Sequence, residues 1–329
     1  MSTAPGAPAS ASVDAPSATP SPVAFPGGGV GEADEAAHAR REARVGLLYG
    51  LGAYGWWGVA PLYFHLLTHV PALTVLCHRI VWSVVFLGLI LLAQRRWSEV
   101  AAVLRDRRTL GWLAISAGLI SVNWFVFIYS VETGRVVQAS LGYYINPLIT
   151  VLLGWTLLRE RLRPWQWVSV ALATIGVGVA ATGAGGLPWI ALTLAVSFAL
   201  YGLLRKTVRV GPMIGLFVET TMLMGPAMLL IIRGLMSGDG PPSVGTTGLL
   251  MTAGVITALP LLWFVAAARR LTLTTIGFLQ YIAPSMQLVM AVGFLGEALD
   301  ARRVITFGFI WAALAVFSVD SMRRSGASR

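Results

Sequence analysis

Charge is scarce in this 329-residue chain: 12% of its residues are Asp, Glu, Lys or Arg, where a soluble domain carries about 25%. With 56% of residues hydrophobic, there is more apolar surface than a core surrounded by water can take in. Cysteine is nearly absent. Cys77 stands alone, which excludes an internal disulfide and a thiolate metal cluster, and it reads as a small buried apolar residue. Neither a His-Glu-x-x-His helix nor a Gly-x-Ser-x-Gly elbow occurs, so the chain is not read as an enzyme. A phosphate loop of the form Gly-x-x-x-x-Gly-Lys-Ser/Thr is also missing. ATP is therefore not expected as a direct energy source, and no cofactor or metal is called for. No stretch alternates polar and apolar residues with period two over a barrel strand's length, which excludes a membrane β-barrel.

What is present is a succession of apolar stretches, each long enough to cross about 30 Å of hydrocarbon as a helix. Ten are predicted, at about residues 45–64, 71–92, 109–130, 136–158, 163–183, 187–204, 213–232, 245–268, 274–296 and 303–321. The expected fold class is an all-α membrane protein. Residues 1–44, rich in Ala, Pro, Ser and Gly, are expected to form a disordered cytoplasmic tail with no cleaved leader. A short second tail is expected at 322–329.

The net charge of +10 does not point to nucleic acid, because the basic residues sit in connections between spans and not on one face. Of 24 Lys and Arg, 19 fall in segments that lie on one side of the bilayer if the amino terminus is cytoplasmic, four fall on the other side, and Arg79 lies within a span. By the positive-inside bias, both termini are expected in the cytoplasm.

Sliding the chain along itself by 137 residues lays Val137–Arg163 on Thr274–Asp300 without a gap, with six identities in 27 positions, among them Tyr144 on Tyr281, Pro147 on Pro284 and Glu160 on Glu297. About two would be expected from the composition. Two five-span copies, 45–183 and 187–321, follow. An odd number of spans per copy turns the second upside down, the arrangement of many secondary transporters, whose solute site lies between the halves near the midplane.

Two charged positions stand inside the spans. Glu219 lies seven residues into span seven, and His78 with Arg79 lies in span two. At 1.5 Å per residue, Arg79 is about 12 Å below one face and Glu219 about 9 Å from the other, so both approach the midplane of a 30 Å layer. Charges at such depth are costly and are kept for function or for a partner. Two readings stand for Glu219: a coupling carboxylate facing Arg79 in a central chamber, or a member of a structural ion pair. Arg79 is read as that partner or as an anion contact for the solute, with snorkelling to the outer surface as the alternative. His78 titrates near neutral pH and is a proton-carrier candidate, or a packing histidine.

Among neutral groups at membrane depth, Asn123, Gln138, Asn146, Gln280 and Gln287 either line a chamber or join helices. Asn146 and Gln280 are favoured as lining because each lies beside a proline expected to break its span, and Tyr144 and Tyr281 share that neighbourhood. Glu160 and Glu297 close spans four and nine and are read as helix-packing caps. Trp97, Trp112, Trp165, Trp167 and Trp189 are read as interfacial anchors, and Gly46, Gly50, Gly52, Gly55 and Gly58 as a close-packing face.

Five collinear stretches carry a family resemblance: His78–Ser83; Asn123-Trp124; Ala139–Leu148 running on to Glu160-Arg-Leu162; Leu187-Pro-Trp189 with Leu200–Lys206; and Gly277–Pro284 with Phe309-Ile-Trp311. By these the chain resembles the RarD-like branch of the EamA group in the drug/metabolite transporter superfamily. The resemblance implies a ten-helix permease of the bacterial inner membrane, built from two EamA repeats, in a branch named for a chloramphenicol-sensitivity phenotype. The long amino-terminal tail is not part of that pattern. The expected activity is secondary transport of a small organic solute, with protons as the candidate coupling ion and a second copy of the chain as a candidate partner. A channel or a purely structural membrane protein is the rival.

Overall fold

The computed structural model describes residues 28–182, 188–237, 243–293 and 300–327. These form twelve helical segments, and no strand occurs among the described residues. In chain order they are α1 (Gly28–His65), α2 (Ala72–Ala93), α3 (Trp97–Arg105), α4 (Arg107–Glu132), α5 (Val136–Thr156), α6 (Pro164–Ala181), α7 (Trp189–Thr207), α8 (Pro212–Met236), α9 (Val244–Arg270), α10 (Leu273–Gln280), α11 (Ile282–Gly293) and α12 (Ala301–Ala327). All packing described below lies within residues 41–329, which form one body.

Eight of the ten predicted stretches coincide with helices long and apolar enough to cross a bilayer, α10 and α11 counting together as one. At the other two, α1 and α5, helices also form. Their Gly, Tyr, Gln and Asn residues dilute the apolar run. Large apolar side chains point outward in numbers no soluble protein tolerates, Leu89 at 61% and Phe125 at 65% exposure among them. Lipid is the solvent that suits such a surface.

Four expectations need correction. Residues 28–44 were expected to be disordered, yet α1 starts at Gly28, because the Ala, Glu and Arg of this stretch are strong helix formers. The helix α12 likewise runs to Ala327, into the tail expected at 322–329. A nine-residue helix, α3, was not anticipated between spans two and three. Its neighbour Asp106 caps α4, accepting from the Arg108 and Thr109 amides and, at 2.5 Å, from the Thr109 hydroxyl. Finally, both prolines were expected to break their spans, but α5 passes through Pro147 as one helix while its counterpart divides into α10 and α11 at Tyr281. Pro284 has no amide hydrogen for the Gln280 carbonyl, one turn earlier, and the chain tightens there through a Tyr281 amide to Phe278 carbonyl bond. In α5 the carbonyl freed by Pro147 is that of Tyr143, and the helix continues past it; the Tyr281 hydroxyl donates to the neighbouring Tyr144 carbonyl at 3.2 Å and ties the two helices. Residues 294–296, and Glu297 with them, lie outside the described residues.

The helix α2 runs against α8, α5 against α10, and α6 against α12, the last pair joined by an Arg163–Asp320 ion pair of 2.7 Å. Contact between α2 and α9 is closest at Gly254, where a Cβ would overlap the Trp82 backbone and the Ser83 amide, and the Ser83 hydroxyl donates to the Gly254 carbonyl at 3.0 Å. On α1, Gly46, Gly50, Gly52 and Gly58 lie against Arg270, Leu279, Trp263 and Met286, whereas Gly55, expected on the same close-packing face, meets no neighbouring side chain among the described residues. Cys77 is buried and free.

Candidate functional site

A cavity of about 1010 Å3 opens among α1, α2, α4, α5, α7, α9, α10 and α11. Its mouth is formed by the α1–α2 connection, residues 65–71, and by the α4–α5 end at Val131, Glu132 and Val136. Its inner walls are aromatic, from Tyr54, Trp57, Phe64, Trp124, Phe127 and Phe198, and are interrupted by Asn123, Asn146, Thr257, Gln280 and Gln287. Among the described residues, Arg79 is the one Lys or Arg side chain that lines the cavity.

Arg79 is tightly placed. Its Nε donates to the Thr257 hydroxyl at 2.7 Å, and that hydroxyl in turn donates a hydrogen bond to the Ala253 carbonyl at 2.8 Å. The guanidinium plane stands over the Phe64 ring at 4.9 Å and the Trp124 ring at 5.7 Å, where ring quadrupoles attract a cation. No carboxylate pairs with it among the described residues.

The amides are ordered by the helices. Asn123 donates to the Leu194 carbonyl at 2.9 Å and to Ser197 at 3.0 Å, tying α4 to α7. The Thr150 hydroxyl links the Asn146 and Gln280 side chains at 3.3 Å on each side, and Gln287 donates to the Trp57 carbonyl at 3.1 Å. These residues both line the cavity and join helices, so the two readings of the sequence merge.

Beneath the cavity lies an aromatic floor. Phe198, Tyr201 and Phe264 pack with Tyr54 and Trp57 at centroid separations of 5.2 to 6.3 Å. Below it is Glu219, 1% exposed, with Arg205, 0% exposed, at 3.5 Å and the Tyr201 hydroxyl at 3.5 Å. The expected meeting of Glu219 with Arg79 is therefore absent: each charge has another partner, and Glu219 does not line the cavity. The pairing follows from a helical hairpin. Only four residues separate α7 from α8, so the two run antiparallel. A helical side chain leans toward its own amino terminus, which carries the Arg205 head back into the membrane to the level of Glu219. A Cβ at Gly215 would overlap that guanidinium. Arg205 was read from sequence as one of the basic residues at the cytoplasmic edge, and the shortness of the 207–212 connection was the signal that could have identified it.

His78, Tyr144 and Tyr281 do not line the cavity. His78 is half-buried, with no partner for its Nδ1 among the described residues. Tyr144 packs edge-on against Phe307 at 5.6 Å, and Tyr281 is buried against α5. Tyr143, the neighbour of Tyr144, faces the cavity instead. Sequence reasoning missed Thr257 and the aromatic walls as site residues.

The end opposite the mouth is closed by polar ties between helices. Glu160, beyond α5, accepts from the Leu273 amide at 2.6 Å, the Thr274 amide at 2.9 Å and the Thr274 hydroxyl at 2.7 Å, capping the start of α10. The Lys206 ammonium donates to the Ala268 and Leu271 carbonyls at the end of α9, and Arg269 donates to the Val208 and Val210 carbonyls. Each tie joins groups distant in sequence.

Comparison with known proteins fits this arrangement. The model of the EamA-like transporter family matches residues 44–182. An uncharacterized transporter of Vibrio cholerae is 45% identical over 88% of this chain and 97% of its own. Protein RarD of Streptomyces exfoliatus is 45% identical over 88% of this chain and 93% of its own. The chloramphenicol-sensitive protein RarD of Pseudomonas aeruginosa is 31% identical over 84% and 95%. A protein of known crystal structure, 21% identical, shares the fold with a TM-score of 0.66 over 84% of this chain and 98% of its own. With eight apolar helices and relatives of this kind over nearly its whole described length, the protein is a multi-pass membrane transporter, and it belongs to the RarD-like branch of the EamA-like transporter family.

Proposed function

We propose that this transporter is a secondary carrier in the bacterial cell membrane, moving a small organic solute by alternating access through the cavity around Arg79. The carrying observation is the asymmetry of that cavity, open at one end and sealed at the other by the Glu160, Lys206 and Arg269 ties. A carrier with one gate open and one closed has this form; a static pore has no need of a sealed end.

Ten spans in two inverted copies are the reading the packing supports. Under the 137-residue shift, span two corresponds to span seven, four to nine and five to ten, and these pairs are among those that pack together, as α2 with α8, α5 with α10, and α6 with α12, beside unmatched pairs as close, α5 with α7 and α2 with α9. A pseudo-two-fold axis in the membrane plane brings matched helices into contact in this way. With both termini cytoplasmic, the mouth faces outward and the sealed end faces the cytoplasm.

In this reading Arg79, Asn123, Asn146 and Gln280 contact or orient the solute, and Glu219 with Arg205 is a structural tie within the second half. The driving force is exchange of one solute for another, because among the described residues no carboxylate faces Arg79 to take up and release a proton. Reconstituted in vesicles and offered a labelled metabolite extract, the protein is expected to show saturable solute exchange that an imposed pH gradient does not turn into accumulation. Arg79→Gln should lose the exchange while still inserting. Flux that rises linearly with concentration would mark a pore, and accumulation driven by the pH gradient would restore proton coupling.

A further inference from the structure

The chemistry around Arg79 narrows the class of solute. Its Nε is occupied by Thr257, and its central carbon lies over the Phe64 and Trp124 rings at 4.9 and 5.7 Å. What remains for a ligand is the outer edge with the two terminal amines. The acidic lining residue is Glu132 and the lining histidines are His65 and His69, and all three stand at the mouth. Among the described residues the interior therefore holds one positive charge, in an aromatic chamber at membrane depth, with no protein anion to balance it. An unbalanced charge in such surroundings is costly.

We propose that the solute is a small organic monoanion, a carboxylate taken by the free edge of Arg79, with an aromatic or branched apolar body lying on Trp124, Trp57 and Phe198. The inference rests on the reading of this cavity as the solute site. A guanidinium edge matches a carboxylate through two parallel hydrogen bonds, and one fork balances one charge. A phosphate dianion would call for a second cation or an open helix amino terminus, and the cavity interior provides no second cation. The volume of about 1010 Å3 lies at the upper end of the range of about 300–1,000 Å3 usual for small-molecule sites. Walls of aromatic carbon favour an apolar body over a sugar or a polyol.

Three probes that share one body and differ in the head test this: 3-phenylpropionate, its amide and 3-phenylpropylamine. Each is titrated into the purified full-length protein in a neutral detergent free of anionic lipid, following tryptophan fluorescence, since Trp57 and Trp124 line the cavity. The carboxylate should bind at least about tenfold more tightly than the other two, as a charge-assisted pair would provide. Arg79→Gln should erase the preference and Arg79→Lys, which keeps the charge but not the fork, should retain part of it. The comparison on the parent protein stands even if a variant fails to fold. Equal or tighter binding of the amide or the amine overturns the inference, as does binding of none of the three or a preference that survives in Arg79→Gln. Failure of the transport reading looks different: selective carboxylate binding with no solute exchange in vesicles would sink the carrier and leave the anion site standing.

Discussion

At the residue scale, the two costly charges of the sequence have opposite fates. Glu219 and Arg205 are closed off from solvent and from the cavity, so each depends on the other and on Tyr201. Removing one member of a buried pair strands the second charge, at a cost of about 3–5 kcal/mol, whereas replacing both by apolar residues is often neutral. Glu219→Leu alone is therefore expected to lower the thermal unfolding transition in detergent sharply, and the Glu219→Leu, Arg205→Leu double variant to recover most of it. If Glu219→Leu unfolds like the parent but abolishes transport, the pair has a coupling role after all. The depth of Glu219 was legible from hydropathy alone. Its partner was not, since Arg79 and Arg205 are equally basic and only the tight α7–α8 hairpin selects between them.

Outside the membrane, Asp106 offers a pH test. Hydrogen bonds from the Thr109 hydroxyl and amide hold its carboxyl below the usual carboxylate value. A depressed folded value means that its contribution is present at neutral pH and is lost as the pH falls through that value. Amide exchange in the first turn of α4 should accelerate, after correction for the intrinsic pH dependence, on acidification. Asp106→Ala should show the faster exchange already at neutral pH.

At the scale of elements, the helices that the sequence announced most clearly are the most apolar ones, α2 and α9. The short α3 went unseen because its nine residues are amphipathic and lie at the membrane edge. Paired prolines suggested paired breaks, but α5 runs through Pro147 as one helix while its counterpart divides at Tyr281. The Glu160 cap of α10 is an element-scale tie of another kind, reaching from one half to the other. A helix cap contributes about 0.5–2 kcal/mol, enough to bias two states that lie close in energy. Glu160→Gln, which gives up one of the two carboxylate acceptors, is expected to speed amide exchange at residues 273–276 while the mouth-side ends of α2 and α4 exchange as before. Unchanged exchange in α10 would reduce Glu160 to ordinary packing.

At the scale of the whole molecule, the repeat legible at 137 residues and the resemblance to the EamA group already implied two halves with a chamber between them. The structure adds which end of the chamber is open and that Arg79, not Glu219, stands in it. That distinction depends on long-range packing, since the sealed end is tied by bonds between residues 59 to 114 positions apart.

The central claim is that the two ends of this chamber open in turn. In a Cys77→Ala background, Val131→Cys reports on the mouth and Ile276→Cys, fully buried beneath the Glu160 cap, reports on the sealed end. The decisive measurement is labelling of each by a membrane-impermeant maleimide, in vesicles of known orientation, with Glu160 intact and with Glu160→Gln. Alternating access predicts that the substitution raises labelling at 276 and lowers it at 131. Labelling that rises at both positions together, or that changes at neither, would contradict it.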